Sequence, residues 1–478
     1  CCFYLLLRLQ KKLPSTDSNP LNSRFFDNKS VMNFPKKATI SLLTLAFLTI
    51  PAISFAAGTG TIPSLFGIRL EFIVFALTLV GVAVFHNKTM FVALTGLAVL
   101  LIVKYSFLSG YSFIEHIAGT SHTEGEWRTL LNLTGLLFGF GILAKIFEES
   151  GVPDKLPAFL PNDWKGGFVL LMLIFVLSSF LDNIAAAMIG GTVAVVVYKG
   201  KVHLGYLAAI VAASNAGGSG SVVGDTTTTL MWIDGVNPLD VTHAYAAAFS
   251  AMFIFGIPAA IVQDRFQRIQ KDPKKKVKLD TVKIILVGAI LIGAILTNYL
   301  LDFPALGVWI VIVIGSFFTT TPWDEIPKSV QGTIFLLSLV TCASLMPVNE
   351  LPAATWQTAF SLGFVSAVFD NIPLTKLCLD QGGYDWGVLA YTVGFGGSMI
   401  WFGSSAGVAL SNMFPEMRSV VNYVKKGWFV TAAYIIAFFI MLGTVGWHPH
   451  APHRKNQEKT QTEQQSTLPT GEAGSESH

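Results

Sequence analysis

Between residues 62 and 447 the chain is a succession of long apolar runs, two of which carry an Asp-Asn pair at their centre. At 1.5 Å per helical residue, runs of this length match a hydrocarbon layer about 30 Å thick. In lipid every backbone amide must be bonded internally, so the choice is packed helices or a closed barrel, and runs this long select helices. Spanning runs lie at about 62–85, 89–103, 129–147, 243–263, 283–301, 304–320, 330–347 and 428–447. Two more, 204–232 and 386–424, are interrupted by glycine and serine. The runs 167–198 and 356–383 hold Asp182-Asn183 and Asp370-Asn371, and these are expected to be re-entrant hairpins. The predicted fold is an all-α polytopic membrane protein with about ten transmembrane helices, two hairpins and two broken helices.

Composition agrees. Of 478 residues 52% are hydrophobic and 13% charged, against roughly 25% charged in soluble domains. The formal charge of +3 gives no reason to expect a nucleic-acid partner. The four cysteines, Cys1, Cys2, Cys342 and Cys378, lack the spacing of a zinc site or a disulfide scaffold, and no cofactor is expected.

Residues 32–57 read as a signal peptide: Met32, then Lys36-Lys37, an apolar run, and the small residues Ser54, Ala56 and Ala57. The rival reading is an uncleaved first helix. Residues 1–31 are expected to be an upstream extension. The basic segment 264–283 should be cytoplasmic by the positive-inside rule. Counting spans outward from it puts both mature termini outside, in a bacterial-type inner membrane, and leaves 448–478 as a disordered polar tail. Residues 58–263 and 284–447 share one plan: three spans, a hairpin, a broken helix and a last span. An odd number of crossings in each half makes the second half an inverted repeat of the first, the architecture of secondary transporters.

The chemistry-bearing residues repeat as well. The hairpins read Ser-x-x-x-Asp-Asn-Ile at Ser178 to Ile184 and at Ser366 to Ile372. A serine one turn before the aspartate shares its helix face, so hydroxyl, carboxylate and amide oxygens can converge. Carboxylates at membrane depth are costly and mark ion or proton paths. The broken helices read Gly217-Gly218-Ser219 with Gly224-Asp225 and four threonines, against Gly396-Gly397-Ser398 with Gly403-Ser404-Ser405. Glycines permit unwinding and hydroxyls supply hard oxygen ligands. Singly, Asp-Asn is an ordinary turn or cap and Gly-Gly-Ser an ordinary packing element. Their recurrence in the same order in both halves favours an ion site.

These motifs, with Asn215-Ala216, Trp232, Pro373-Leu374, Met399 and Ala406-Gly407-Val408, resemble the NhaD-type sodium/proton antiporters of the ion transporter superfamily, over residues 62–447. The resemblance implies a cation and proton site made by Asp182, Asn183, Asp225, Asp370 and Asn371, with Ser178, Ser366, Thr227, Thr228, Ser398 and Ser404. Gly217, Gly218, Gly396 and Gly397 are the helix-break glycines. It implies Na⁺ or Li⁺ and H⁺ as cargo, no transition metal, a surrounding bilayer, and allows a homodimer. Two positions depart from the family. Ala185-Ala186-Ala187 stand where threonines are typical, and Lys376 lies six residues beyond Asp370. Lys376 either snorkels outward or serves Asp370 as an internal counter-charge.

The expected activity is exchange by competition: buried carboxylates hold protons and release them when a cation enters. An anion or carboxylate carrier of the same fold is the alternative, though three acids outnumber one lysine. An intramembrane aspartyl protease fits poorly, because Val222 stands where its Gly-x-Gly-Asp motif needs glycine, and Asp385 is expected near the surface. The acidic pairs Glu148-Glu149 and Asp324-Glu325 are expected to be ordinary solvated loop charge, and His448, His450 and His453 part of the tail.

Overall fold

The computed structural model describes residues 62–450, apart from 66, 86–87, 109, 121–124 and 271–277. The upstream segment, the signal-like segment and most of the tail lie outside the described residues. A short antiparallel hairpin, β1 (Ser64–Leu65) and β2 (Ile68–Arg69), precedes a chain that is helical almost throughout.

The first half comprises α1 (Leu70–Val84), α2 (Thr89–Phe107), α3 (Phe113–Ala118), α4 (Trp127–Glu149) and α5 (Val152–Phe159). The chain then doubles as α6 (Trp164–Ser178) and α7 (Asn183–Val197), breaks between α8 (Leu204–Ser219) and α9 (Thr226–Ile233), and closes with α10 (Pro238–Thr242) and α11 (Ala244–Phe266). The second half repeats that order. It runs α12 (Thr281–Leu301), α13 (Pro304–Gly315) and α14 (Glu325–Ser344), then the helix–turn–helix α15 (Trp356–Ser366) and α16 (Asn371–Gln381). A second interrupted helix follows as α17 (Trp386–Gly396), a 3-10 turn at Gly397–Met399, and α18 (Ser405–Met413). The half ends in α19 (Val420–Lys426) and α20 (Trp428–Thr444), bent by 60°.

Five helical stretches among the described residues are long and apolar enough to cross a bilayer alone, or six with the bent pair joined. The difference from about ten expected spans has a physical cause. The two interrupted crossings, α8–α9 and α17–α18, are assembled from shorter pieces, none long enough by itself. The run 304–320 is helical only over Pro304–Gly315, started by a proline at its first turn after the left-handed Asp302 (φ 50°). The run 62–85 opens with the hairpin, so its helix begins at Leu70. The tail also begins in an ordered state. The His448 amide donates to Asp385 Oδ2 at 2.8 Å, and His450 exchanges backbone bonds with Tyr384 and Gly383. Asp385, expected near the surface, is buried as the cap of α17.

The uninterrupted helices α1, α2, α4, α12, α13 and α14 pack against one another as one group. The interrupted helices α6, α7, α8, α15, α17 and α18 form another with α11 and α20. Contacts of α9 with α4, of α5 with α4 and α7, and of α16 with α14 join the groups. The outward faces of α12 and α13 expose Ile285, Ile292, Leu300, Ile310 and Ile314, as lipid-facing helices do.

Close approach at the breaks depends on missing side chains, and the same approach is made twice. A Cβ on Gly217 would strike the Phe175 carbonyl, and one on Gly396 the Gly363 carbonyl; Phe175 and Gly363 each lie seven residues before the hairpin aspartate. Gly224 faces the Ser178 carbonyl and Gly403 the Ala367 carbonyl in the same manner. Packing of this density explains why these runs need glycine beyond any need for unwinding. Gly217→Ala is therefore expected to lower the melting temperature of the detergent-purified protein markedly, at a cost of about 1–3 kcal/mol for overpacking. Gly443→Ala, where nothing lies within 4 Å, should leave it unchanged or raised.

Candidate ion site

Among the described residues, four helices start at the two hairpin turns and the two helix breaks, and each is capped by a side chain singled out in the sequence. Asp182 accepts from the Ile184 amide at 3.2 Å at the start of α7, and Asp370 from the Ile372 amide at 3.0 Å at the start of α16. Asp225 accepts from the Thr227 amide at 3.0 Å at the start of α9, and Ser404 from the Gly407 amide at 3.3 Å at the start of α18. Each cap satisfies one amide that lipid could not. Asp225 lies within electrostatic range of both Asp182 and Asp370, so the three carboxylates form one group.

Their remaining oxygens differ. Asp225 is 2% exposed, and its Oδ2 is buried without a hydrogen-bond partner; the Thr227 hydroxyl is in the same condition. A buried polar atom left unpaired costs about 1–3 kcal/mol, and the Thr227 and Asn183 side chains are the polar groups near enough to Asp225 to relieve it. Asn183 gives its amide to Asn215 Oδ1 at 3.1 Å, and Asn215 gives its own to Ser398 Oγ at 2.9 Å. This relay ties the first hairpin to both broken helices. Asn215 was not among the expected site residues; a polar side chain two residues before Gly217, in an otherwise apolar stretch, was the available signal.

Several expected hydroxyl ligands have other work. Ser178 Oγ donates to the Ser214 carbonyl and Ser366 Oγ to the Val393 carbonyl at 2.6 Å, equivalent residues three before each Gly-Gly pair. They bind hairpin to broken helix in both halves. Thr228 Oγ1 donates to the Ser221 carbonyl at 2.6 Å and closes the break after α8. The proton of each hydroxyl goes to a backbone carbonyl, and its oxygen lone pairs remain as acceptors. Asn371 is buried beside Asp370, and its carbonyl accepts from Thr375.

A cavity of about 920 Å³ separates the two helix groups. Asp182, Asp225, Thr226, Thr229 and Ser405 line one wall, Leu133 to Glu148 of α4 and Glu325 to Leu336 of α14 the other. Gln270, from the basic linker, stands at its edge. Glu148 and Glu325, expected to be ordinary solvated charge, therefore border the space that reaches Asp182, although each is also paired with a lysine, Lys145 and Lys328. Ala185 lines it too, an apolar wall where the resembling family carries a hydroxyl.

With this geometry in place, the sequence profile of the citrate transporter family (CitMHS) matches residues 38–396, three quarters of the chain. The chain belongs to this family. Proteins it resembles include sodium/proton antiporters of the NhaD type. The chain is 23% identical over 403 residues to the Na(+)/H(+) antiporter NhaD of Halomonas elongata, covering 70% of this chain and 80% of that protein. It is 25% identical to NhaD of Vibrio parahaemolyticus, covering 66% and 92%. Sodium/proton antiporter 1 of Arabidopsis thaliana is 26% identical over 58% of this chain, which spans 56% of that longer protein. The chain is thus a multi-pass membrane transporter and not an enzyme.

One residue of this CitMHS transporter departs from both sequence expectations. Lys376 neither snorkels nor pairs with Asp370. It is 2% exposed, and its ammonium meets Asp380 at 2.7 Å on its own helix and Glu126 at 3.2 Å at the start of α4, with Asp234 in electrostatic range. None of these three acids was anticipated. Asp380 lies four residues on and was readable; Glu126 and Asp234 come from distant segments. Breaking a buried pair by removing one partner costs about 3–5 kcal/mol. Lys376→Met is accordingly expected to destabilise the purified protein by about that much, and Glu126→Gln by less, because Asp380 keeps the lysine paired; thermal unfolding in detergent measures both.

Proposed function

We propose that this protein exchanges Na⁺ or Li⁺ for H⁺ across a bacterial-type inner membrane, by competition at the carboxylates that cap its intramembrane helices. The observation that carries the reading is that, of the four helices that start at the two hairpin turns and the two helix breaks, aspartate caps three and serine one. A helix N-terminus is equivalent to roughly half a positive charge. Four such ends against three carboxylates leave about one negative charge when the acids are ionised, and that is neutralised by one monovalent cation or one proton. With the aspartates absent, the same four ends would favour an anion. The alternative cargo, a carboxylate as the family's description names, therefore needs the acids neutralised by protons or co-bound cations.

The cation would sit beside Asp225 Oδ2 and the Thr227 hydroxyl, with Asp182 and Asp370 supplying charge. Oxygen donors of this kind suit hard cations. The proton is held by the same carboxylates, so occupation by one ion excludes the other. The cavity gives Asp182 and Asp225 access from the side of the basic linker, which the positive-inside rule makes cytoplasmic. The equivalent bonds made by Ser178 and Ser366, and the equivalent glycine contacts, support an inverted repeat of 58–263 and 284–447. Such a repeat has two related conformations, and alternation between them would present the site to each side.

The test is proton movement in everted vesicles from cells lacking their own antiporters, after addition of Na⁺, Li⁺ or K⁺. Cation-dependent collapse of the pH gradient is expected, reduced to background in Asp225→Asn. Competition also sets a sign for pH: the apparent KM for the cation should rise as pH falls, by up to about tenfold per pH unit for one proton against one cation. A flat KM across pH, or full activity in Asp225→Asn, would sink the assignment.

A further inference from the structure

The second broken helix carries a glycine that its own geometry does not require. Gly394 lies inside α17, with ordinary helical backbone, and it is fully buried. Glycine in a helix interior is unfavourable relative to alanine. Unlike Gly396, where a Cβ would strike backbone, a Cβ on Gly394 would meet Asp225 Oδ2 at 3.5 Å, the Ser219 Cβ at 3.5 Å and its Cα at 3.9 Å. These are ordinary contacts. A methyl group fits there, and the chain leaves the place empty.

That place adjoins the unpartnered carboxylate oxygen. Asp225 Oδ2 is buried with no hydrogen-bond partner, and Thr227 Oγ1 is likewise unpartnered. The Thr227 and Asn183 side chains are polar neighbours of the same carboxylate. The position is also where the two halves differ. Asn215 stands two residues before Gly217 and Gly394 two before Gly396, so they are equivalents in the repeated motif. One half spends the position on an amide that reaches Asn183 and Ser398; the other spends it on nothing, opposite the acid.

We infer that Gly394 sets the size of the cation seat: its missing side chain leaves beside Asp225 Oδ2 the space that a dehydrated monovalent cation fills. This deepens the antiport reading and rests on it. The larger Na⁺ needs that space more than the smaller Li⁺ does, so a methyl group there discriminates between them by size.

Gly394→Ala tests this directly, with Gly288→Ala, where nothing lies within 4 Å, as the control. In everted vesicles the variant is expected to raise the KM for Na⁺ by about tenfold, the scale of one methylene in a close-fitting site, with a smaller rise for Li⁺. Thermal stabilisation of the purified variant by NaCl should weaken in parallel, while that by LiCl persists. Equal shifts for both ions, or no shift, would overturn the inference while leaving antiport standing. Failure of Gly394→Ala to fold would overturn it as well, since contacts at 3.5 Å leave room for the methyl group. If the unmodified protein answers no cation in vesicles and gains no stability from either salt, the antiport reading itself fails, and the seat with it.

Discussion

A helix that begins inside a membrane has amides that neither lipid nor a preceding turn can satisfy, and the rest of this structure follows from how four such beginnings are capped. Aspartate is a good cap because one carboxylate oxygen accepts from the helix amide. It is also more than a cap, because a second oxygen and a negative charge remain. At Asp225 the division is visible within one side chain: Oδ1 binds the Thr227 amide and Oδ2 is left over. Structural necessity and ion chemistry are thus met by the same residues, and a substitution that removes the charge while keeping an acceptor, aspartate to asparagine, separates the two.

The caps can lie near one another only because the surrounding helices approach to backbone contact. Gly217 on the Phe175 carbonyl, Gly224 on that of Ser178, and their counterparts Gly396 and Gly403 give the same contact twice. The hydroxyls of Ser178 and Ser366 then satisfy carbonyls that the breaks release. Small residues and hydroxyls replace the hydrophobic driving force, which is weak between helices already in an apolar solvent.

The fold class was legible because hydrocarbon thickness and backbone satisfaction act on runs of sequence. The breaks were legible because glycine pairs and Asp-Asn are costly in apolar runs, so their repetition carried information. The use of each side chain was less so. Spacing put Ser178 on the face of Asp182, but the carbonyl of Ser214 that takes its proton belongs to another helix. The Asn183–Asn215–Ser398 relay and the Lys376–Glu126 pair join residues 32, 183 and 250 positions apart, and local periodicity cannot report such partners. Gly394 was invisible for the opposite reason, since the sequence marks a glycine without saying which atom lies across from it. The shortfall in full-length spans reflects interruptions and early ends: α8–α9 and α17–α18 are broken, α13 stops at Gly315, and the hairpin delays α1 to Leu70.

The buried lysine has a consequence for movement at the junction of the two helix groups. Its partners belong to different bodies, Asp380 to the same helix and Glu126 to the opposite group. A charge bound only across an interface would be stripped whenever the interface slid, stranding it in a medium that cannot solvate it. Lys376 carries its own counterion one turn away, so its ammonium stays paired even where the longer contact to Glu126 is lost.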